Sequence, residues 1–570
     1  MRRFLLAALA FGALAAWALW PDDSGPEGPS IMERARQDSA QAGAVSAKVI
    51  SGEDLPPSGT RSLFDHLVAQ NERLPFPFEK LVALLQSLHP DGQPPVSLMI
   101  PMGRSLLKAQ ADFAHPRVLV AADFQAPNTD VALGFAPRGM LFLGFVENAA
   151  EIEVISYNEA AGRFEFQLVQ DYREGGIPRL VYARRAICTT CHQGATPIFP
   201  QRPWNETNGQ PEIATRIIEA RGDEAPYLGL TLKNTLAAPE RFDELTEVGN
   251  FLPLAQRAWL DGCGQTGADC RRQMLKVGLH FGMSPGDFDA ESADAAALRE
   301  AQAAHWPPAG IVMPESDIRN RDPLEETRGI RGFFRTLFRP KATEPGAQTN
   351  ADLDAFERLP RLPAALDPLS PRPPRRVLRA SELDGAFGLA QFFTPGDMKL
   401  LDAAAGFDRR KLDAAVARLP ESFFAPQAFT RARTVNALLT ALGAKARDYP
   451  WLNTSEMSEP VALGVPPLEL AADSVLKPFE LYCFACHRGN PAKRLDFMGG
   501  KTGEEVLASI RETTAIRDVL DWDRYRGSDK ENTLMPPADS HQRREVDDAL
   551  ARGEPVLEEM RKVVPSLFVF

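Results

Sequence analysis

Apolar residues recur at helical spacing from Arg61 to Leu88, at Leu63, Leu67, Leu81, Leu84, Leu85 and Leu88, with breaks at Pro75 and Pro77. That pattern predicts one or two short helices. From Pro95 to about Tyr182 the period changes. Val118-Leu119-Val120 and Met140-Leu141-Phe142-Leu143 are apolar runs bounded by Gly and Pro, whereas Ile152 to Tyr157 and Phe164 to Val169 largely alternate around Gly162. The alternating pair predicts a hairpin of an antiparallel sheet with one face in the core. Residues Ala214 to about Gln302 return to a helical pattern, and Arg319-Asn320-Arg321-Asp322-Pro323 marks a polar turn. A second helical stretch runs from Ala380 to about Leu442, with Val435, Leu438, Leu439 and Leu442 on one stripe.

These elements predict an α+β multidomain chain: a β-rich N-terminal module, a mainly helical middle and an all-α C-terminal domain. The expected divisions are an N-terminal arm with short helices at 21–90, a β-rich then helical domain at 91–338, a Pro-rich linker at 339–376, a helical domain at 377–469 and a last domain at 470–570. A chain of 570 residues is too long for one core. Its 44% hydrophobic and 25% charged content is ordinary for a globular protein. The net charge of −12 disfavours nucleic acid, whose phosphates call for a basic surface.

The first twenty residues read Arg2-Arg3 followed by a nearly unbroken apolar run from Phe4 to Trp20. A basic start before such a run is an export signal, either a cleaved signal peptide or an uncleaved membrane anchor. Both place the bulk of the chain outside the cytoplasm, in the periplasm or an equivalent compartment.

Two pentapeptides carry the chemistry: Cys188-Thr189-Thr190-Cys191-His192 and Cys483-Phe484-Ala485-Cys486-His487. A Cys-x-x-Cys-His run is the attachment signal of c-type haem. Its two thiols form thioethers to the porphyrin, and its histidine ligates the iron from the proximal side. With 6 Cys and 8 His in the chain, chance supplies such a run on the order of 0.001 times. The expectation is therefore two covalently attached haem c groups. The competing reading, zinc or thiol redox chemistry, would need pairs 295 positions apart to converge on one tetrahedral site, or a thioredoxin-like thiol. The two remaining cysteines, Cys263 and Cys270, are expected to form a disulfide in an oxidising compartment.

The segment from Leu470 to Phe570 resembles a class I cytochrome c domain: a helix-like stretch from Leu470 to Tyr482 enters the motif, Leu495-Asp496-Phe497 follows, and then Met535-Pro536-Pro537. The resemblance implies that His487 is the proximal ligand, that Met535 is the distal one, and that a final helix from Arg543 to Val563 packs across the first. This chain departs from that family in lacking the glycine usual in the first helix. A thioether ligand raises the iron's potential and suits reversible electron transfer.

For the first iron, His192 is proximal and the distal candidates are Met313, His280, Met274, Met283, His305 and His115, with an open site as the further alternative. Beyond His192, Pro197-Ile198-Phe199-Pro200 and Trp204 form a Pro- and aromatic-rich loop suited either to a porphyrin face or to plain packing. The leading expectation is an exported dihaem c-type cytochrome that exchanges electrons with a redox partner protein. The alternatives are a dihaem peroxidase or oxygenase with an open or labile first haem, and a sensing module built on the sheet.

Overall fold

The structure, a computed structural model, describes residues 54 to 563 apart from 70–73, 89–93, 102–110, 123–138, 189–191, 200–203, 205, 223–225, 233–236, 309, 314–376, 448, 450–453, 456, 464–467, 469, 472, 489–495, 514–515, 527, 529–533 and 537–540. The export segment, the Pro-rich linker and the polar turn at 319–323 lie outside the described residues.

Two helices, α1 (Leu63–Ala69) and α2 (Phe78–Leu88), open the described chain. Six strands follow as an antiparallel meander in sequence order: β1 (Val96–Ile100), β2 (Arg117–Ala122), β3 (Leu141–Val146), β4 (Glu151–Asn158), β5 (Arg163–Gln170) and β6 (Arg179–Tyr182). The expected hairpin is β4–β5, registered with Ile155 opposite Phe166 and closed by a loop whose Gly162 has φ +64°.

One expectation fails: the sheet is buried on both faces. Met99, Val118, Val120, Leu143 and Phe145 pack against α1, α2 and α4 (Pro211–Arg221). Leu98, Leu119, Phe142, Phe164 and Phe166 belong to a larger core shared with the helices that follow. A strand covered on both faces keeps apolar residues at successive positions, which is why β3 reads Leu-Phe-Leu-Gly-Phe-Val without alternation.

The short helix α3 (Arg185–Cys188) leaves β6 and carries the first motif. After α4 come α5 (Ala237–Leu260), α6 (Ala268–Met283) and α7 (Ala293–Ala303). A two-stranded ladder pairs β7 (Ile311–Val312) with β8 (Val377–Leu378). Helices α8 (Asp384–Ala390), α9 (Pro395–Ala404), α10 (Arg409–Arg418) and α11 (Arg431–Ala441) complete this part. The predicted stripe is realised, with Val435, Leu438 and Leu439 fully buried. These helices share one core with the sheet, from Tyr157 and Trp259 to Leu389 and Val435, so elements on the two sides of 314–376 form one hydrophobic unit. The Cys263–Cys270 disulfide, expected from sequence, closes the corner between α5 and α6.

The C-terminal residues build a smaller core of their own around Leu476, Phe479, Val506, Ile510 and Met560. Its helices are α12 (Lys477–Tyr482), α13 (Phe484–His487), α14 (Gly503–Glu512), α15 (Ile516–Val519), α16 (Trp522–Tyr525), α17 (His541–Ala551) and α18 (Val556–Val563). The entry helix begins at Lys477 rather than Leu470, with Pro478 in its first turn, where a missing amide proton costs nothing. Nor is the final segment one helix. Gly553, at φ +78°, ends α17, the Glu554 amide reaches back to the Ala549 carbonyl, and Pro555 precedes α18. The crossing itself is present: α12 packs on both α17 and α18. Among the described residues, no helix is long and apolar enough to cross a membrane.

Candidate haem-attachment sites

The first motif is anchored from below by a buried ion cluster. The Arg185 guanidinium donates to Glu165 Oε2 at 2.7 Å and to the Phe164 carbonyl at 2.7 Å, and lies 5.5 Å over the Phe166 ring. Arg163 Nε donates to Glu165 Oε1 at 2.8 Å, so one fully buried carboxylate serves two guanidinium groups. The Arg185 amide donates to Asp54 Oδ1 at 2.8 Å. Burial raises the Asp54 carboxyl above its ordinary range, against the lowering influence of that amide and of Arg184. The start of α3 is thereby fixed to β5.

The His192 amide donates to the Cys188 carbonyl at 2.9 Å, and His192 Nδ1 lies 3.0 Å from the Thr196 carbonyl. A carbonyl only accepts, so Nδ1 carries the proton and Nε2 keeps its lone pair. Burial pulls the imidazole down to about 4, so it is neutral near pH 7. A histidine that ligates a metal through Nε2 needs this tautomer, and a backbone carbonyl is one of the usual partners of its Nδ1 proton. Its ring sits 5.6 Å from Phe166 and 5.9 Å from Phe199. Phe199 in turn packs on Phe242 at the start of α5, and Trp204 is buried in the same cluster, a packing role. The close passage of α5 is made by glycine: a Cβ on Gly249 would lie 2.7 Å from the Gly139 carbonyl and 2.7 Å from Pro197.

In the second motif, Cys483 breaks the helical path between α12 and α13. The His487 amide donates to the Cys483 carbonyl at 2.9 Å, and the His487 ring lies 4.6 Å from Phe497, a residue expected from sequence to pack here. Arg488 is buried and donates to the Met498 carbonyl at 3.0 Å and the Gly500 carbonyl at 2.6 Å, while the Met498 amide donates to the His487 carbonyl. Burial pushes the Cys483 thiol up to about 12 and the Cys486 thiol up to about 11. A thioredoxin-like pair needs the opposite, a depressed thiol.

Although 295 positions apart in sequence, the two motifs are neighbours: α3 and α13 are in contact. Tyr182, the last residue of β6, makes a parallel bridge to Ala462, its amide donating to the Val461 carbonyl and its carbonyl accepting from Leu463, both at 2.7 Å. Arg184 Nη1 donates to the Arg488 carbonyl, the residue after His487. Sequence reading missed this seam. Its one signal is the short apolar run Val461-Ala462-Leu463 between Pro460 and Gly464.

Zinc convergence has less support. Among the described residues, the group of three or more His, Cys, Asp or Glu ligand atoms within 4.8 Å of one another is His280, Asp294 and Asp413, and the described cysteines do not join it. Cys191 lies outside the described residues.

The distal candidates fall in different places. Met535 is partly buried, its amide donating to the Val519 carbonyl at 2.7 Å and its carbonyl accepting from Trp522 Nε1 at 3.0 Å. Adjacent Leu534 is fully buried with Trp522, Val546 and Tyr482, the residue before Cys483, so Met535 belongs to the same small unit as His487. Met313 follows β7, whose partner Leu378 flanks Gly385 together with Ala258 of α5. The His192 cluster packs at Phe242, toward the other end of α5, ~24 Å away at 1.5 Å per residue. That separation counts against Met313. His280 Nε2 engages Asp413 at 2.7 Å, and its Nδ1 faces Asp294 at 3.7 Å. Met274 is fully buried in the core, and Met283 packs partly against it. His305 sits at the disulfide corner beside Gly264, and His115 pairs with Asp112.

The donor set therefore fits c-type haem at both motifs: Cys188 and His192 at one, Cys483, Cys486 and His487 at the other, with the tautomer of His192 already set. No family model, curated protein or solved structure matches this chain.

Proposed function

We propose that this chain is an exported dihaem c-type cytochrome that relays electrons between a protein partner and two covalent haems held side by side. The observation that carries the reading is the contact between the two Cys-x-x-Cys-His helices, α3 and α13. When bound, each haem supplies a one-electron iron couple. The protein's part is to fix and insulate these groups.

On this reading Cys188, Cys191, Cys483 and Cys486 supply the thioether sulfurs. His192 and His487 are the proximal ligands. The Thr196 carbonyl holds the His192 proton at Nδ1, which would leave Nε2 free to ligate the iron. The Phe166, Phe199 and Phe242 rings keep water from that side. Met535, whose backbone is held by Val519 and Trp522, would supply the distal thioether at the second site. The redox partner is a protein, and the export segment delivers the chain to the periplasm or holds it at the membrane.

The test is mass spectrometry of proteolytic peptides from the protein isolated after export, beside the paired variants Cys188→Ser with Cys191→Ser and Cys483→Ser with Cys486→Ser. Two haem-bearing peptides are expected in the wild type and one in each variant. A wild type with unmodified cysteines sinks the reading. A high-spin first haem that changes its spectrum with peroxide would turn it from carrier to enzyme.

A further inference from the structure

The two attachment segments belong to different hydrophobic cores, one shared by the sheet and middle helices, the other confined to the C-terminal unit. Something must hold the segments in register, because independent cores otherwise move relative to each other. The backbone bridge at Tyr182 and Ala462 supplies one fixed point. Only one residue separates Tyr182 from Arg184, so the Arg184 backbone has little freedom of its own.

Arg184 then reaches across. Its guanidinium donates to the Arg488 carbonyl. Arg488 is itself tied by its side chain to the Met498 and Gly500 carbonyls, and Met498 is tied by its amide to His487. The result is a short chain of bonds from the first motif to the turn that carries the second proximal histidine. Neighbouring Asp54 holds the amide of Arg185, which fixes the backbone on the other side of Arg184.

We infer that Arg184 is a positioning residue for electron transfer: it locks the second haem's proximal turn onto the first motif and sets a fixed positive charge beside that haem's attachment segment. The inference rests on the dihaem reading. The charge has a definite consequence. Oxidised haem iron carries one more positive charge than reduced iron, so a nearby cation favours the reduced form.

The test uses the haem-loaded full chain as wild type, Arg184→Met and Arg184→Lys, with haem content measured first. At fixed poise, Arg184→Met is expected to lower the reduced-to-oxidised ratio of the second haem about tenfold, equal to 59 mV for one electron. Arg184→Lys keeps the charge and is expected to restore most of that ratio. Amide exchange at residues 487–488 and 496–500 is expected to quicken in Arg184→Met, a readout that does not depend on haem. Two haems in Arg184→Met with an unchanged ratio overturn the inference and leave the dihaem reading intact. Absence of haem from the wild type overturns the dihaem reading itself. If Arg184→Met fails to fold, an Arg184→Lys protein whose ratio stays at the wild-type value supports the charge, and a tenfold fall with the charge retained overturns it.

Discussion

Glu165 gives the sharpest test of how the first site is supported. Its carboxylate is fully buried, with Arg185 on one oxygen and Arg163 on the other, and the Arg185 side chain is itself only 2% exposed. Replacement by alanine leaves a buried guanidinium without its countercharge, a loss of about 3–5 kcal/mol. By contrast, an exposed ion pair would cost about 1 kcal/mol or less. At about 1.4 kcal/mol per tenfold, amide exchange in β5 and β6 should quicken by about two to three and a half powers of ten in Glu165→Ala. The double variant Glu165→Leu with Arg185→Met should recover much of this, since an apolar replacement needs no countercharge. Hydrogen exchange with peptide resolution on the full chain reads both. A Glu165→Ala variant whose exchange quickens by less than tenfold, at the level of a surface pair, would falsify the claim that this cluster anchors α3.

Other outcomes follow from the same geometry. Met535→Ala should leave the second haem high-spin and lower its potential by on the order of 0.1 V, within the range that axial ligands control, as read by EPR and redox titration. Gly249→Ala places a methyl against Gly139 and Pro197 and should destabilise by about 1–3 kcal/mol while broadening the first haem's spectrum; an unchanged melt would show that α5 can move away at no cost. Loss of the Cys263–Cys270 disulfide in the paired serine variant should cost about 2.5 kcal/mol in the loop-entropy model, measured by denaturant titration. Burial lowers the His66 pKa below 6.5, so the unfolded chain takes up a proton there that the native one resists. Stability should therefore fall as pH drops below 6.5, by at most about 1.4 kcal/mol per pH unit, and His66→Gln should flatten that slope.

The motifs, the hairpin, the disulfide and the helical stripe at Val435 were legible because each is a local pattern. Two thiols and a histidine in five residues, or alternation about a glycine, need no knowledge of distant chain. The double-sided burial of the sheet was hidden because α1 and α2 precede it and α5 to α11 follow it. Only their joint packing covers both faces. The break at Gly553 and Pro555 is plain turn chemistry in the sequence, and it divides what the helical spacing alone predicts as one long helix. The adjacency of the two Cys-x-x-Cys-His motifs was hidden because its contacts, such as Arg184 meeting a backbone carbonyl 304 positions away, leave no local sign in the sequence.

The bridge at Tyr182 bears on solubility as well as on redox chemistry. β6 is the terminal strand of its sheet, and the backbone groups of Tyr182 that face outward are taken up by Val461 and Leu463. An uncovered terminal strand is a template for another copy. Residues 461–463 thus cap an edge that would otherwise invite self-association, and a chain cut short before residue 461 is expected to aggregate even with its sheet and middle helices complete.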